Sequence, residues 1–510
     1  MSEVSSNSKR IVKNTLVLYF RMLFLMCISL YTSRVVLNAL GVTDYGIYNV
    51  VGGVVALFSM LSGSLSASIS RFLTFELGKN DEVKLKEVFS ASIWIQFLLA
   101  AIIIILAETV GLWFLREKMV IPQDRFNAAL WCYHFSVATF AINLISVPYN
   151  AAIIAHEKMS IFAYISIFEG VAKLAIAFLI SLSTQDRLLI YAVLMMGVAI
   201  ITRFIYGFVC KRNFKECSVH FYFSKSIFRE MLNFAGWNFI GAASSVLRDQ
   251  GGNVILNLFF GPVVNAARGI ATQVNTAISS FSANFMMALN PQITKSYASG
   301  NNEYMFNLMY RGARLSFYLL LLLSLPVILN AHYILILWLK IVPEHTVNFV
   351  VLSLIYVMCE SISSPLITAM LATGNIRNYQ IVVGGLQMMN LPASYILLKY
   401  GFCPETIFIV AIVISQCCLL ARLIMLRKMI SLKILQFFKQ VYINVLGVSF
   451  LAVSIPLIVS LFMQEGLPRF IIVSLISLLC SFVVAFFIGC NKEEQSFVIE
   501  KVKQVKSRFA

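Results

Sequence analysis

Runs of about 20 apolar residues, the length that crosses the hydrocarbon core of a bilayer, recur along this chain with little between them. About 14 can be marked, at roughly 14–39, 46–75, 89–113, 127–153, 161–183, 188–209, 231–259, 263–292, 313–338, 347–372, 379–399, 406–426, 441–463 and 470–490. A helix satisfies its backbone hydrogen bonds internally, so each run reads as a transmembrane helix. The 510 residues are 59% hydrophobic and 12% charged, more apolar than a water-soluble core can absorb. The expected fold class is therefore all-α, a polytopic membrane protein. The first 13 residues are polar and basic, and the apolar run that follows is too long for the core of a signal peptide, so the first helix is expected to stay in the mature protein.

The net charge of +17 does not gather in one arm or domain, which argues against nucleic acid. Loops on one side of the predicted spans, with both termini, hold about 25 Lys and Arg, and the other side about 7. The positive-inside rule then puts both termini in the cytoplasm. Trp113, Trp131 and Trp338 fall at outer span ends and Trp94 and Trp237 near inner ones, as interface anchors do. Ten cysteines lie mostly within spans without a CxxC or Cys/His spacing, so no metal or disulfide framework is expected.

The chain also repeats itself. VVLNALG ending at Gly41 matches VILNLFFG ending at Gly261, LGKND around Gly78 matches SGNNE around Gly300, and VPYNAAIIAHEK matches SPLITAMLATGN through Pro148 and Pro365. The offsets of 219, 222 and 217 residues shift together, as duplication requires. Each copy holds six spans, so both cross in the same sense, and the copies are expected to form two lobes related along the membrane normal with a transport path between them. The expected organisation is a lobe over 1–225, a second over 226–430, and an appended helix pair with a tail over 431–510.

Charges at bilayer depth cost about 2.5–3.5 kcal/mol each even on insertion scales, and they mark function. Those within spans are Arg21, Arg34, Arg71, Glu169, Lys173, Arg203, Arg248, Asp249, Arg268, Glu360 and Arg422. Arg71, Arg203 and Arg422 lie where they can snorkel to the inner interface. Glu169 and Lys173 stand at i and i+4 in the favourable orientation, either as a structural staple or as part of a polar path. Asp249 diverges from Arg248 around the helix and needs a basic partner on another span. That leaves Arg21, Arg34 and one of Arg248 or Arg268 without an evident acid. Surplus cations in a wet space suit an anion, and the planar arginine fork suits phosphate oxygens. Gly251-Gly252 is expected to weaken the seventh span beside these groups. Asn257, Asn265, Gln273, Asn275, Ser279, Ser280, Ser282 and Asn284 continue a polar stripe. His134, in the fourth span, reads first as a packed core residue and second as a proton-linked group. No Walker loop and no nucleophile elbow occur, so neither ATP hydrolysis nor acyl transfer has a basis.

The stretch from Arg248 to Gly300, RDQGGNVILNLFFGPVVNAARGIATQVNTAISSFSANFMMALNPQITKSYASG, resembles the start of the C-terminal half of Wzx-type flippases of the polysaccharide transporter family, and Tyr45 to Asn80 is similar to their N-terminal half. The resemblance implies a transporter related in fold to multidrug and toxic compound extrusion proteins. It implies an undecaprenyl-diphosphate-linked oligosaccharide as substrate, for O-antigen, capsule or other surface polysaccharide, in the bacterial inner membrane. Membrane lipids and the polysaccharide polymerase machinery are the implied partners. No cofactor is expected; H+ or Na+ coupling is left open. Arg21, Arg34, Arg248 and Arg268 are the expected anion-binding residues, with Glu169, Lys173, Asp249, Asn257 and Gln273 as polar or paired groups of the cavity. An extrusion antiporter for organic cations shares that fold but calls for surplus buried acids. A membrane glycan polymerase or ligase, from a different class, calls for a large outer platform, and every predicted outer loop is short.

Overall fold

Helix boundaries follow the chain's own stop and start signals. In this computed structural model, which describes residues 2–56, 59–117, 122–183, 186–217, 224–339, 342–492 and 494–496, the elements are α1 (Ser2–Ala56), α2 (Ser59–Lys79), α3 (Glu82–Leu106), α4 (Leu112–Glu117), α5 (Phe126–Ala155), α6 (Met159–Ser181), α7 (Arg187–Asn213), α8 (Lys225–Ala298), α9 (Asn302–Leu329), α10 (Ala331–Leu339), α11 (Thr346–Thr373), α12 (Arg377–Met388), α13 (Asn390–Lys399), α14 (Thr406–Ile430), α15 (Ile434–Phe437), α16 (Ile443–Phe462) and α17 (Leu467–Val484). No strand occurs among the described residues. Asp81 caps α3 by accepting from the Lys84 amide at 3.0 Å, and Asn301 caps α9 by accepting from the Tyr304 amide at 3.2 Å. The turns before these caps pass through left-handed Asn80 and Gly300, and the turns after α5 and α11 through left-handed Glu157 and Gly374. The element order thus repeats at the spacing of the sequence landmarks. Gly41, at φ 78 and ψ 169, interrupts α1 and divides it into two helical segments.

Eleven helices among the described residues are long and apolar enough to cross a membrane. They coincide with eleven of the expected spans. The other three, 46–75, 231–259 and 263–292, each run over residues whose side chains lie outside those described. Large side chains such as Phe450, Leu461 and Phe462 are more than 70% exposed, which suits a lipid-facing surface. Trp113, Trp131 and Trp338 are each about half exposed, as interface anchors are.

The chain forms two compact units, Met1–Ala242 with Thr294–Gly300, and Ala243–Ile293 with Asn301–Ala510. In the first, α5 packs against α2, α3 and α7, and α1 against α6. Tyr133 fills the core and donates to the Ala107 carbonyl at 2.7 Å, which lies on a π-helical turn, Ala107–Gly111. At the same end of these helices Arg125 grips Asp44 and Asp186 at once, with four contacts of 2.6–3.0 Å. Glu157, its side chain fully buried, pairs with Arg10 and Lys295 at 2.8 Å each.

In the second unit α11 packs against α9 and α14, with Pro365 seated against Gly312, while α16 and α17 pack on each other and on α9. The chain after α17 is held by Glu494, which pairs with Arg314 at 2.8 Å and Arg311 at 3.3 Å. Before α14, Glu405 accepts from Asn348 at 2.9 Å and pairs with His345 at 2.7 Å. Burial pushes this carboxyl up, but the hydrogen bonds from Asn348 and His345 outweigh it and hold the group down at about 2. A folded-state value below the ordinary one adds stability at neutral pH that is lost as pH falls toward 2. The thermal midpoint of Glu405→Gln should therefore lie below wild type above about pH 5, with the gap closing on acidification below about pH 4. A gap that ignores pH would show that the carboxylate's charge contributes nothing.

Candidate substrate-binding site

Helical geometry runs unbroken through Gly251 and Gly252, contrary to the weakening expected there. The glycines serve close packing instead. A Cβ on Gly252 would strike the Arg268 guanidinium, and one on Gly251 would strike the Leu391 side chain. This contact also gives the path of α8. Residues 252 and 268 would stand about 24 Å apart along a straight helix at 1.5 Å per residue, so the chain turns back between them into two arms.

Both arms face one cavity of about 370 Å³ within the second unit. The first arm supplies Arg248 and Asn253, and the second Arg268, Thr272 and Asn275. Opposite them stand Ser353 and Tyr356 of α11, Asn390 and Ser394 of α13 and Phe408 of α14. The Arg248 guanidinium lies 5.4 Å from the Tyr356 ring centre and that of Arg268 6.0 Å from Phe408, aromatic faces that hold a cation without neutralising it. Arg268 is only 8% exposed. Asn275 donates to the Ser353 carbonyl at 3.0 Å, tying the second arm to α11. Asn390 donates to the Gln387 carbonyl at 2.9 Å, and its buried side-chain oxygen has no partner among the described residues. No carboxylate occurs among the described residues that line the cavity. It offers two guanidinium forks with neutral donors and acceptors between them, the equipment for a phosphate-bearing, hydroxyl-rich ligand.

The remaining sequence-predicted residues divide. Arg21 lies 4.2 Å over the Phe162 ring in the first unit, close enough to Glu169 and Tyr206 to interact electrostatically. It thus has an acidic neighbour that spacing along the chain could not reveal. Glu169 also holds Lys173 at 2.6 Å, one turn along α6. Gln273 turns away from the arginines and lines a second, apolar cavity of about 390 Å³ with Val274 and Trp338. The side chains of Arg34, Asp249 and Asn257 lie outside the described residues.

Two residues expected at the interface are packed inside. Arg422 is 1% exposed, hydrogen-bonded with Tyr379 and within electrostatic reach of Glu360, while Arg71 is 9% exposed between Phe72, Phe75 and Phe234. His134, expected in the core, is a third exposed and pairs at 2.9 Å with Glu108. The sequence reading passed over that acid and also missed Tyr356, Asn390 and Ser394. The one available signal for the latter pair was Asn390-Leu391-Pro392, a polar and helix-breaking interruption inside an apolar run.

The fold places the chain in a class. It is similar to an outward-facing multidrug resistance MATE family transporter of the MOP superfamily, with a TM-score of 0.70 at 13% identity over 83% of this chain and 96% of that one. A MATE protein in a bent conformation matches with a TM-score of 0.73 at 13% identity, over 83% and 96%. A MOP superfamily transporter from Pyrococcus furiosus, described as having a binding pocket of reversed polarity, matches with a TM-score of 0.69 at 13% identity, again over 83% and 96%. No curated protein matches the chain. The fold is that of MATE and MOP superfamily transporters, as the sequence resemblance implied.

The family model for polysaccharide biosynthesis proteins matches residues 11–297, more than half of the sequence. The chain belongs to that family, and it carries the fold of multi-pass membrane transporters.

Proposed function

We propose that this protein is a transporter, a flippase that carries undecaprenyl-diphosphate-linked oligosaccharide across the bacterial inner membrane by alternating access, for O-antigen, capsule or other surface polysaccharide. The observation that carries this reading is the cavity shared by Arg248 and Arg268, lined otherwise, among the described residues, by uncharged polar, aromatic and aliphatic groups. Two guanidinium forks on one cavity suit the oxygens of a diphosphate, and sugar hydroxyls match the Asn, Ser and Thr side chains. An extrusion antiporter for organic cations calls for the opposite polarity. On this reading the termini face the cytoplasm, where most loop Lys and Arg lie, and the product is handed to the polymerase machinery outside.

The test is a deletion strain. Loss of the protein should abolish surface polysaccharide and leave lipid-linked oligosaccharide accumulating where a membrane-impermeant sugar-binding probe reaches it only after the cells are opened. A plasmid copy should restore both. Normal polysaccharide, or accumulated glycolipid already labelled on intact cells, would overturn the proposal.

A further inference from the structure

A cavity of about 790 Å³ lies where α14 gives way to α15, apart from the arginine site. Ser431, left-handed at φ 60, ends α14, and the chain bends into the short α15. Leu432 is 1% exposed and Phe437 fully buried, so the bend is anchored to the protein body. Arg427, Lys433 and Lys439 stand around the cavity with Gln436 and Gln440. Among the described residues no carboxylate lines it, and none of the three cations forms an ion pair. Arg427, in the last turn of α14, also complements that helix's dipole. Lys433 and Lys439 lie beyond the helix end, where that explanation no longer applies.

An apolar track leaves the same place. Leu435 is 70% exposed beside the cations, and Ile443, Leu446 and Phe450 continue at 61%, 57% and 74%, spaced to form one stripe along α16. Cations joined to an exposed apolar stripe at the end of a membrane span match the two halves of a charged lipid. We infer that this bend is a binding site for an anionic glycerophospholipid, its phosphodiester among Arg427, Lys433 and Lys439 and its acyl chains along Leu435 and α16. A lipid held there braces the junction between α14 and the α16–α17 pair.

The test uses the full chain purified in a neutral detergent. Phosphatidylglycerol should raise the thermal midpoint by several degrees, while phosphatidylcholine and inorganic phosphate should leave it near its starting value. Neutral replacement of one cation should weaken the apparent lipid affinity about fivefold, and Arg427→Gln/Lys433→Gln/Lys439→Gln together about a hundredfold. Leu435→Gln should weaken it further without creating a response to phosphate. If the triple variant fails to fold, the charge-preserving Lys433→Arg/Lys439→Arg protein should keep the full response, and Lys433→Gln alone should reduce it. An equal response to phosphatidylcholine, a full response to inorganic phosphate, or an unchanged affinity in the neutral variants would each overturn the assignment. None of these outcomes depends on transport, so the inference stands or falls apart from the flippase reading.

Discussion

Arg248→Ala and Arg268→Ala should each sharply reduce delivery of surface polysaccharide while the protein still inserts at normal abundance. Each guanidinium can give an anion charge-assisted hydrogen bonds worth about 1.5–3 kcal/mol, so losing one should slow transport roughly 10- to 100-fold. Lysine should rescue Arg248 in part, because a point charge keeps the attraction but loses the paired geometry. It should rescue Arg268 less, since that guanidinium fills the space left by Gly252 and lies against Phe408. Gly252→Ala extends the argument. It leaves both charges present but drives its methyl group into the Arg268 fork, and it should reproduce the transport defect of Arg268→Ala. Polysaccharide export and membrane abundance, measured together, separate these outcomes. Wild-type export from both alanine variants would remove the anion site, and loss of export only in proportion to lost protein would make the arginines structural.

How much of this was legible in the sequence depended on whether a feature lives on one helix or between several. Spans were readable because hydrocarbon thickness imposes a length and a composition on each run alone. The landmarks of the sequence repeat were readable because its turns need particular residues. Gly300 and Gly374 take a left-handed conformation that glycine adopts freely, and Asp81 and Asn301 supply the oxygen that caps the next helix. The Glu169–Lys173 pair was visible because i and i+4 are neighbours on any helix.

Contacts between helices have no such one-dimensional signature. Nothing in spacing reveals that Glu169 lies near Arg21, or that Tyr379 and Glu360 lie close to the buried Arg422. Gly251-Gly252 was misread for the same reason. A glycine pair that loosens an isolated helix is, in a packed unit, the space into which Leu391 and Arg268 fit. The arginine site was half visible, because sequence offered the cations but not the residues of α11, α13 and α14 that complete the cavity.

Arg125→Ala should give the largest loss of stability in the first unit, with no defect specific to transport. Arg125 starts α5, Asp186 caps α7 through the Leu188 amide at 3.1 Å, and Asp44 follows the break at Gly41, so one guanidinium joins three separately entering helices. Its side chain is 25% exposed and its partners 16% and 29%, enough burial for the pairing to outweigh solvent screening. Removing the cation leaves two carboxylates facing each other without compensation, at a cost of about 2–4 kcal/mol. Lysine should recover less than half, because an ammonium cannot hold two carboxylates in parallel pairs. The triple variant Arg125→Ala/Asp44→Asn/Asp186→Asn should recover more than Arg125→Lys does. It abolishes the stranded charges, and asparagine at 186 still caps α7. Burial pushes the Asp186 carboxyl up, but its bonds with Arg125 hold it below its ordinary range. The difference between wild type and Arg125→Ala should therefore shrink as pH falls through the carboxylate range. Unfolding midpoints in detergent at several pH values measure all of this. An Arg125→Ala protein as stable as wild type, or a triple variant worse than the single one, would mean that the three helix ends are held by apolar packing and the ion pairs only decorate it.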